Sequence, residues 1–191
     1  MSLDYYERNA HLYFKSTAQV DMSAMRRRFL EHVRIGGTVL DAGCGSGRDA
    51  KAFLEAGYEV TAFDGSTQLV KLASEYTGLP IVHMTFGQMA WKDVFDGIWS
   101  CACLLHVERA NLPSTFDRFV RALKPNGVWY LSMKQGTTSR ELDGRLFTDV
   151  TEAELAELLE NKGLQVLEMW ITDDVRPGRS EIWVNALARK F

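Results

Sequence analysis

Along the chain, apolar positions change period repeatedly. Between 22 and 34, Met22, Met25, Phe29, Leu30 and Val33 recur at helical spacing, the stripe of an amphipathic helix. The next apolar run, over 37–43, reads as a buried strand. The pattern then predicts a helix over 48–56, a strand over 59–64, a helix over 66–77, strands over 80–85 and 95–101, a helix over 114–123 and a strand over 127–133. The clearest helix start comes later: Thr151 and Glu154 form a capping box, Leu155, Leu158 and Leu159 share one face, and Gly163 supplies a stop. Strands over 164–172 and 181–188, separated by a short polar loop, predict a hairpin. Such alternation implies right-handed crossovers and a doubly wound, mostly parallel α/β sheet with helices on both faces.

The stretch 39–49, Val-Leu-Asp-Ala-Gly-Cys-Gly-Ser-Gly-Arg-Asp, is a strand, a glycine-rich turn and a helix start. Its glycines are Gly43, Gly45 and Gly47, whereas a dinucleotide fingerprint places the third glycine where Arg48 stands. Binding of NAD is therefore disfavoured. Asp41, at the strand end, would repel a pyrophosphate and suit a cationic group.

On these residues the chain resembles the class I S-adenosylmethionine-dependent methyltransferases, whose first motif is an acidic residue followed by a Gly-x-Gly-x-Gly run. The resemblance implies a Rossmann-like, mostly parallel seven-stranded sheet with an antiparallel last strand, in a single domain spanning 1–191. It implies that Gly43 and Gly45 pack against the methionine part of S-adenosylmethionine, with Asp41 nearby, and that the product is S-adenosylhomocysteine. Asp64, about 20 residues beyond Gly43, ends the 59–64 strand and, with Gly65, fits a ribose-binding position; it equally fits a cap on the 66–77 helix. After the third strand, relatives often carry an acid for adenine, but Phe86 stands here, which leaves Gly87, Gln88 and Met89 as adenine contacts. Cys101, at the end of the fourth strand, and Tyr13 complete the expected cofactor set. Tyr13 belongs to an N-terminal segment, 5–13, that reads either as a cover over the cofactor or as an amphipathic helix packed on the sheet.

A methyl bound to sulfonium is already electrophilic, so orientation, exclusion of water and a base are what the protein supplies. His106, just past the fourth strand, is the candidate base, with a structural hydrogen-bonding role as the alternative. Lys134, Arg145, Arg176 and Arg179 are candidates for an acidic acceptor, and Tyr5, Tyr6 and Phe147 for its apolar part. The residues 45–49 and 56–60 also look like the tellurite-resistance-type and related small-molecule enzymes, which suggests an oxygen, nitrogen, sulfur or chalcogen nucleophile. A cofactor-binding module or sensor without catalysis is the alternative, and methylation of protein or RNA a further one.

Composition narrows these options. With 191 residues, 46% of them hydrophobic, the chain suits one domain with a sizeable core. Its 22 basic and 25 acidic residues give a net charge of −3, which argues against bulk nucleic-acid binding. Arg26, Arg27 and Arg28 read as a solvated helix face. No Asn/Asp-Pro-Pro-aromatic motif follows the fourth strand, where the chain reads Ser100-Cys101-Ala102-Cys103. No run of about 18 apolar residues and no apolar leader appears, so a cytosolic protein is expected. The three cysteines have no metal-ligand spacing, and a reducing compartment is the simplest reading.

Overall fold

The computed structural model describes residues 2–176 and 178–191. Seven strands form one sheet: β1 (Thr38–Ala42), β2 (Glu59–Asp64), β3 (Val82–His83), β4 (Phe95–Cys101), β5 (Leu123–Lys134), β8 (Leu164–Asp173) and β9 (Ile182–Lys190). Their order across the sheet is β3-β2-β1-β4-β5-β9-β8. Only the last strand, β9, runs against its neighbours β5 and β8. A separate two-stranded hairpin, β6 (Ser139–Leu142) and β7 (Arg145–Thr148), rises from the end of β5.

Strand periodicity divides the core into two layers, because successive side chains point to opposite faces. Ile98, Trp129 and Leu131 join one cluster with Phe116 and Phe119 of α5 (Leu112–Ala122) and with Leu155 and Leu159 of α6 (Glu152–Glu160). Trp99, Tyr130 and Leu187 join another with Phe29 of α2 (Ser23–Leu30) and Phe53 of α3 (Arg48–Glu55). The register sets Trp99 beside Tyr130, and their rings stack with centroids 3.9 Å apart. Gly97 lets α2 approach the sheet: a Cβ there would lie 2.6 Å from the Phe29 ring and 2.8 Å from Val33.

Several boundaries differ from the sequence reading. The 22–34 helix ends at Leu30, because its last turn tightens, with Val33 N–H donating to the Leu30 carbonyl at 3.3 Å. The third strand shrinks to two residues at the sheet edge, where only Phe63 and Asp64 face it. The fifth helix starts earlier, at Leu112, with Pro113 in its first turn, where a missing N–H costs nothing. Arg26 is not part of a solvated face but reaches inward to Asp49 at 2.6 Å. The capping box holds as read, with Thr151 Oγ1 accepting the Glu154 N–H at 3.2 Å. No helix among the described residues is long and apolar enough to cross a membrane.

The N-terminal segment is a helix, α1 (Ser2–Thr17), kinked at Asn9, whose side-chain amide donates to the Tyr5 carbonyl at 2.8 Å. It lies against α4 (Thr67–Thr77) and the β6–β7 hairpin. Glu7 accepts from Ser66 Oγ at 2.7 Å and from Gln68 N–H at 3.3 Å, and Ser2 Oγ accepts from Leu146 N–H at 3.0 Å. Substituting Gly97→Ala forces the Phe29 contact apart and is expected to lower stability by about 1–3 kcal/mol in urea unfolding.

Candidate functional site

β1 and β2 pair in parallel with Ala42 opposite Phe63, so their carboxyl ends bring the glycine turn and Asp64 to one rim. Gly43 and Gly45 take φ of 66° and 56°, backbone that glycine adopts without steric cost. A Cβ on Gly43 would lie 2.7 Å from Cys103, and one on Gly45 3.0 Å from the Tyr13 ring. Packed against Cys103 and Tyr13, the two glycines also line a cavity of about 420 Å³.

Asp64 ties this rim together. Its Oδ2 accepts the Gly45 N–H and its Oδ1 the Ser66 N–H, each at 2.9 Å. Burial pushes its pKa up, and the hydrogen bonds from Ser66, Gly45 and Gly65 hold it back. Asp64 lines the cavity, and a carboxylate has about four acceptor sites, one more than these three amides use. The capping alternative is met by a different residue, since Ser66 Oγ accepts the Leu69 N–H at 3.2 Å and caps α4.

Of the residues expected to bind cofactor, Tyr13, Gly43, Gly45, Asp64 and Gly65 line this cavity. Asp41 does not: it is buried behind the turn, accepting the Ala50 N–H at 2.9 Å, and burial together with the charge of Asp49 raises its pKa. Gly87, Gln88 and Met89 do not either. Gln88 folds back to accept from Thr85 N–H at 2.8 Å, and Met89 is buried in the core. Their place on the cavity wall is taken by Met84, Thr85 and Phe86. Cys101 faces a second cavity of about 490 Å³, and burial raises its thiol to about 11.

The two cavities share four wall residues, Tyr6, Tyr13, Ala102 and His106. Ala102 has φ of 54°, unusual for a residue with a Cβ, and its N–H is held by Ser132 Oγ at 2.9 Å. His106 is engaged at both nitrogens. Its Nδ1–H donates to the Leu146 carbonyl at 2.6 Å, so Nε2 accepts the Tyr6 hydroxyl proton at 2.7 Å. Burial, with Arg145 and Lys134 nearby, lowers its pKa to about 4. Burial also pushes the Tyr6 hydroxyl to about 12. The expected base is thus a neutral imidazole whose free lone pair is taken by Tyr6.

Sequence reasoning missed what surrounds His106, because its partners come from Tyr6 and from the unforeseen β6–β7 hairpin. A signal was present: Asp143-Gly144, with φ of 53° and 72°, makes a tight hairpin turn. The hairpin carries Arg145 and Phe147 into the wall of the second cavity, while Lys134 lies at the end of β5, its Nζ 4.4 Å from the Phe147 ring centroid. Arg48 also reaches this cavity, locked to Asp49, which accepts its Nε–H at 3.1 Å, Arg26 at 2.6 Å and Trp99 Nε1–H at 3.1 Å.

Comparison with known proteins agrees with this geometry. Residues 39–127 match a family described as a methyltransferase domain. The chain is 26% identical over 160 residues to the 2-heptyl-1-hydroxyquinolin-4(1H)-one methyltransferase of Mycobacteroides abscessus, covering 80% of this chain and 66% of that one. It is 29% identical over 174 residues to a ubiquinone biosynthesis O-methyltransferase of Xanthomonas axonopodis pv. citri, covering 78% and 69%. The chain therefore spans about two thirds of the length of these curated relatives. The structure of the Burkholderia thailandensis 1,6-didemethyltoxoflavin-N1-methyltransferase, with bound 1,6-didemethyltoxoflavin and S-adenosylhomocysteine, superposes with a TM-score of 0.78 at 26% identity, covering 98% of this chain and 84% of that one.

The state of His106 has a measurable consequence. Its folded pKa of about 4 lies below the reference 6.5, so between those values the unfolded chain binds the proton and the folded chain does not. Its contribution to stability is present above pH 6.5 and is lost as pH falls toward 4. Unfolding free energies measured at pH 7 and pH 5 are expected to fall less in His106→Gln than in the unaltered protein; an equal fall means that the histidine is not buried neutral.

Proposed function

We propose that the chain is a class I S-adenosylmethionine-dependent methyltransferase and that it methylates an oxygen or nitrogen of a small planar aromatic molecule. One observation supports the reading: the glycine-turn cavity and the second cavity adjoin, with Tyr6, Tyr13, Ala102 and His106 as their common wall, so that a cofactor in one and an acceptor in the other are neighbours.

The residues present fit S-adenosylmethionine. The methionine portion would lie along the cavity wall that Gly43 and Gly45 line, with the N-terminus of α3 beyond the turn favouring a carboxylate. Asp64 has acceptor capacity for the ribose hydroxyls, and Phe63, Met84 and Phe86 offer apolar surface for adenine. When bound, this molecule supplies the methyl: the acceptor's lone pair forms the new bond while the methyl–sulfur bond breaks and its electron pair stays on sulfur. Tyr13 covers Gly45 and excludes water there. His106 holds the Tyr6 hydroxyl in place at the junction, acting as a positioning residue rather than a direct base. Tyr5, Phe147 and Trp183 line the second cavity with rings suited to a flat ligand. The named acceptors of the relatives, a hydroxyquinolone and a didemethyltoxoflavin, point the same way.

Asp64→Ala is expected to weaken S-adenosylhomocysteine binding more than tenfold, about 1.4 kcal/mol or more, in calorimetric titration; unchanged affinity would remove the ribose role. Methyl-labelled S-adenosylmethionine incubated with the protein and a panel of phenols, hydroxyquinolones and N–H heteroaromatics is expected to transfer label to at least one of them. Tight cofactor binding with no transfer, to the panel or to a small-molecule cell extract, would favour the non-catalytic module instead.

A further inference from the structure

Several cations reach the second cavity, but the structure occupies most of them. Lys134 pairs with Glu181 at 3.0 Å, and Arg176 is held by Asp174, its Nε–H donating at 2.9 Å. Arg48 is locked to Asp49, and Arg179 is exposed. Arg145 differs. Its guanidinium lies 4.0 Å from the Tyr5 ring centroid and 5.1 Å from that of Phe147, with a side chain only 19% exposed. Its carboxylate neighbour, Asp143, is 3.5 Å away and 66% exposed, a pairing that solvent screens. Its guanidinium also hydrogen-bonds the Tyr6 hydroxyl, while its Nε, sealed from solvent, has no hydrogen-bond partner among the described residues.

We propose that Arg145 is the residue of the second cavity that reads an anionic oxygen, so that the acceptor is a planar aromatic molecule carrying a phenolate, enolate or carboxylate. This rests on the reading of that cavity as the acceptor site. A guanidinium on the cavity wall whose carboxylate neighbour is exposed gains a charge-assisted hydrogen bond from such an oxygen, and the flanking rings offer stacking surface to the plane beside it. Lys134, though paired with Glu181, also lies against Phe147, its Nζ 4.4 Å from the ring centroid. At His106 burial is the main cause that disfavours a proton, and the field of these two cations adds to it. An acidic group bound in the same field shifts the same way, toward its deprotonated form. The acceptor then gives its proton to solvent on binding, which removes the need for a free side-chain base and accords with a histidine whose ring is fully engaged.

The test uses 4-nitrophenol, whose visible absorbance reports its own ionisation, bound to the protein saturated with S-adenosylhomocysteine. The bound probe is expected to ionise at lower pH than the free one, by about one pH unit or more. Arg145→Gln is expected to abolish the shift, Arg145→Lys to keep part of it, and both to leave S-adenosylhomocysteine affinity unchanged. Displacement by benzoate against benzamide separates the sources of the anion. Preference for benzoate shows that a carboxylate is accepted, whereas a shift in 4-nitrophenol without that preference confines the subsite to a phenolate or enolate oxygen. An unshifted or upshifted probe, a shift that survives Arg145→Gln, or no probe binding by a protein that binds S-adenosylhomocysteine would overturn the proposal. Loss of S-adenosylhomocysteine binding in the unaltered protein would instead overturn the cofactor reading beneath it.

Discussion

The site depends on one buried carboxylate. Asp64 stands at the end of β2 and accepts amide protons from both sides, Gly45 in the turn after β1 and Ser66 at the start of α4. A buried carboxylate without such donors would be strongly disfavoured. With them it holds two crossover connections at a fixed separation, and the glycine turn keeps its left-handed backbone because the carboxylate receives the Gly45 N–H. The cavity between turn and carboxylate is thus a product of sheet register, since parallel pairing of β1 with β2 brings both strand ends to the same rim.

α1 then contributes Tyr6 and Tyr13 to the wall that two adjoining cavities share. Glu7 fastens it to the cap of α4, Tyr13 lies over Gly45, and Tyr6 reaches across to His106. The β6–β7 hairpin closes the other side, its Leu146 carbonyl fixing the His106 tautomer and its Arg145 and Phe147 facing the second cavity. Two elements far apart in the chain meet through one imidazole, which makes His106 a junction of the fold as well as of the site.

Much of this was legible in the sequence because it is local. The glycine turn, the acid at the end of β2, the capping box at Thr151 and the alternation of helix and strand each declare themselves within a few residues, and the antiparallel last strand came with the family resemblance. What was not legible depends on tertiary choice. Gln88 reads from sequence as an adenine contact, yet its side chain folds onto Thr85 in a local capping interaction. Asp41 read as a ligand-facing acid, yet its carboxylate serves the amide of Ala50. His106 was found by position, but its state follows from Tyr6, a hundred residues away, and from a hairpin whose Asp143-Gly144 turn went unread.

The central claim is that the glycine turn and Asp64 form a site for an adenosyl sulfonium ligand and not for a dinucleotide. Calorimetric titration of the unaltered protein with S-adenosylmethionine, S-adenosylhomocysteine and NAD tests it most directly. Micromolar binding of the two adenosyl ligands with no measurable heat from NAD is the expected result; binding of NAD alone, or of none of the three, would contradict it.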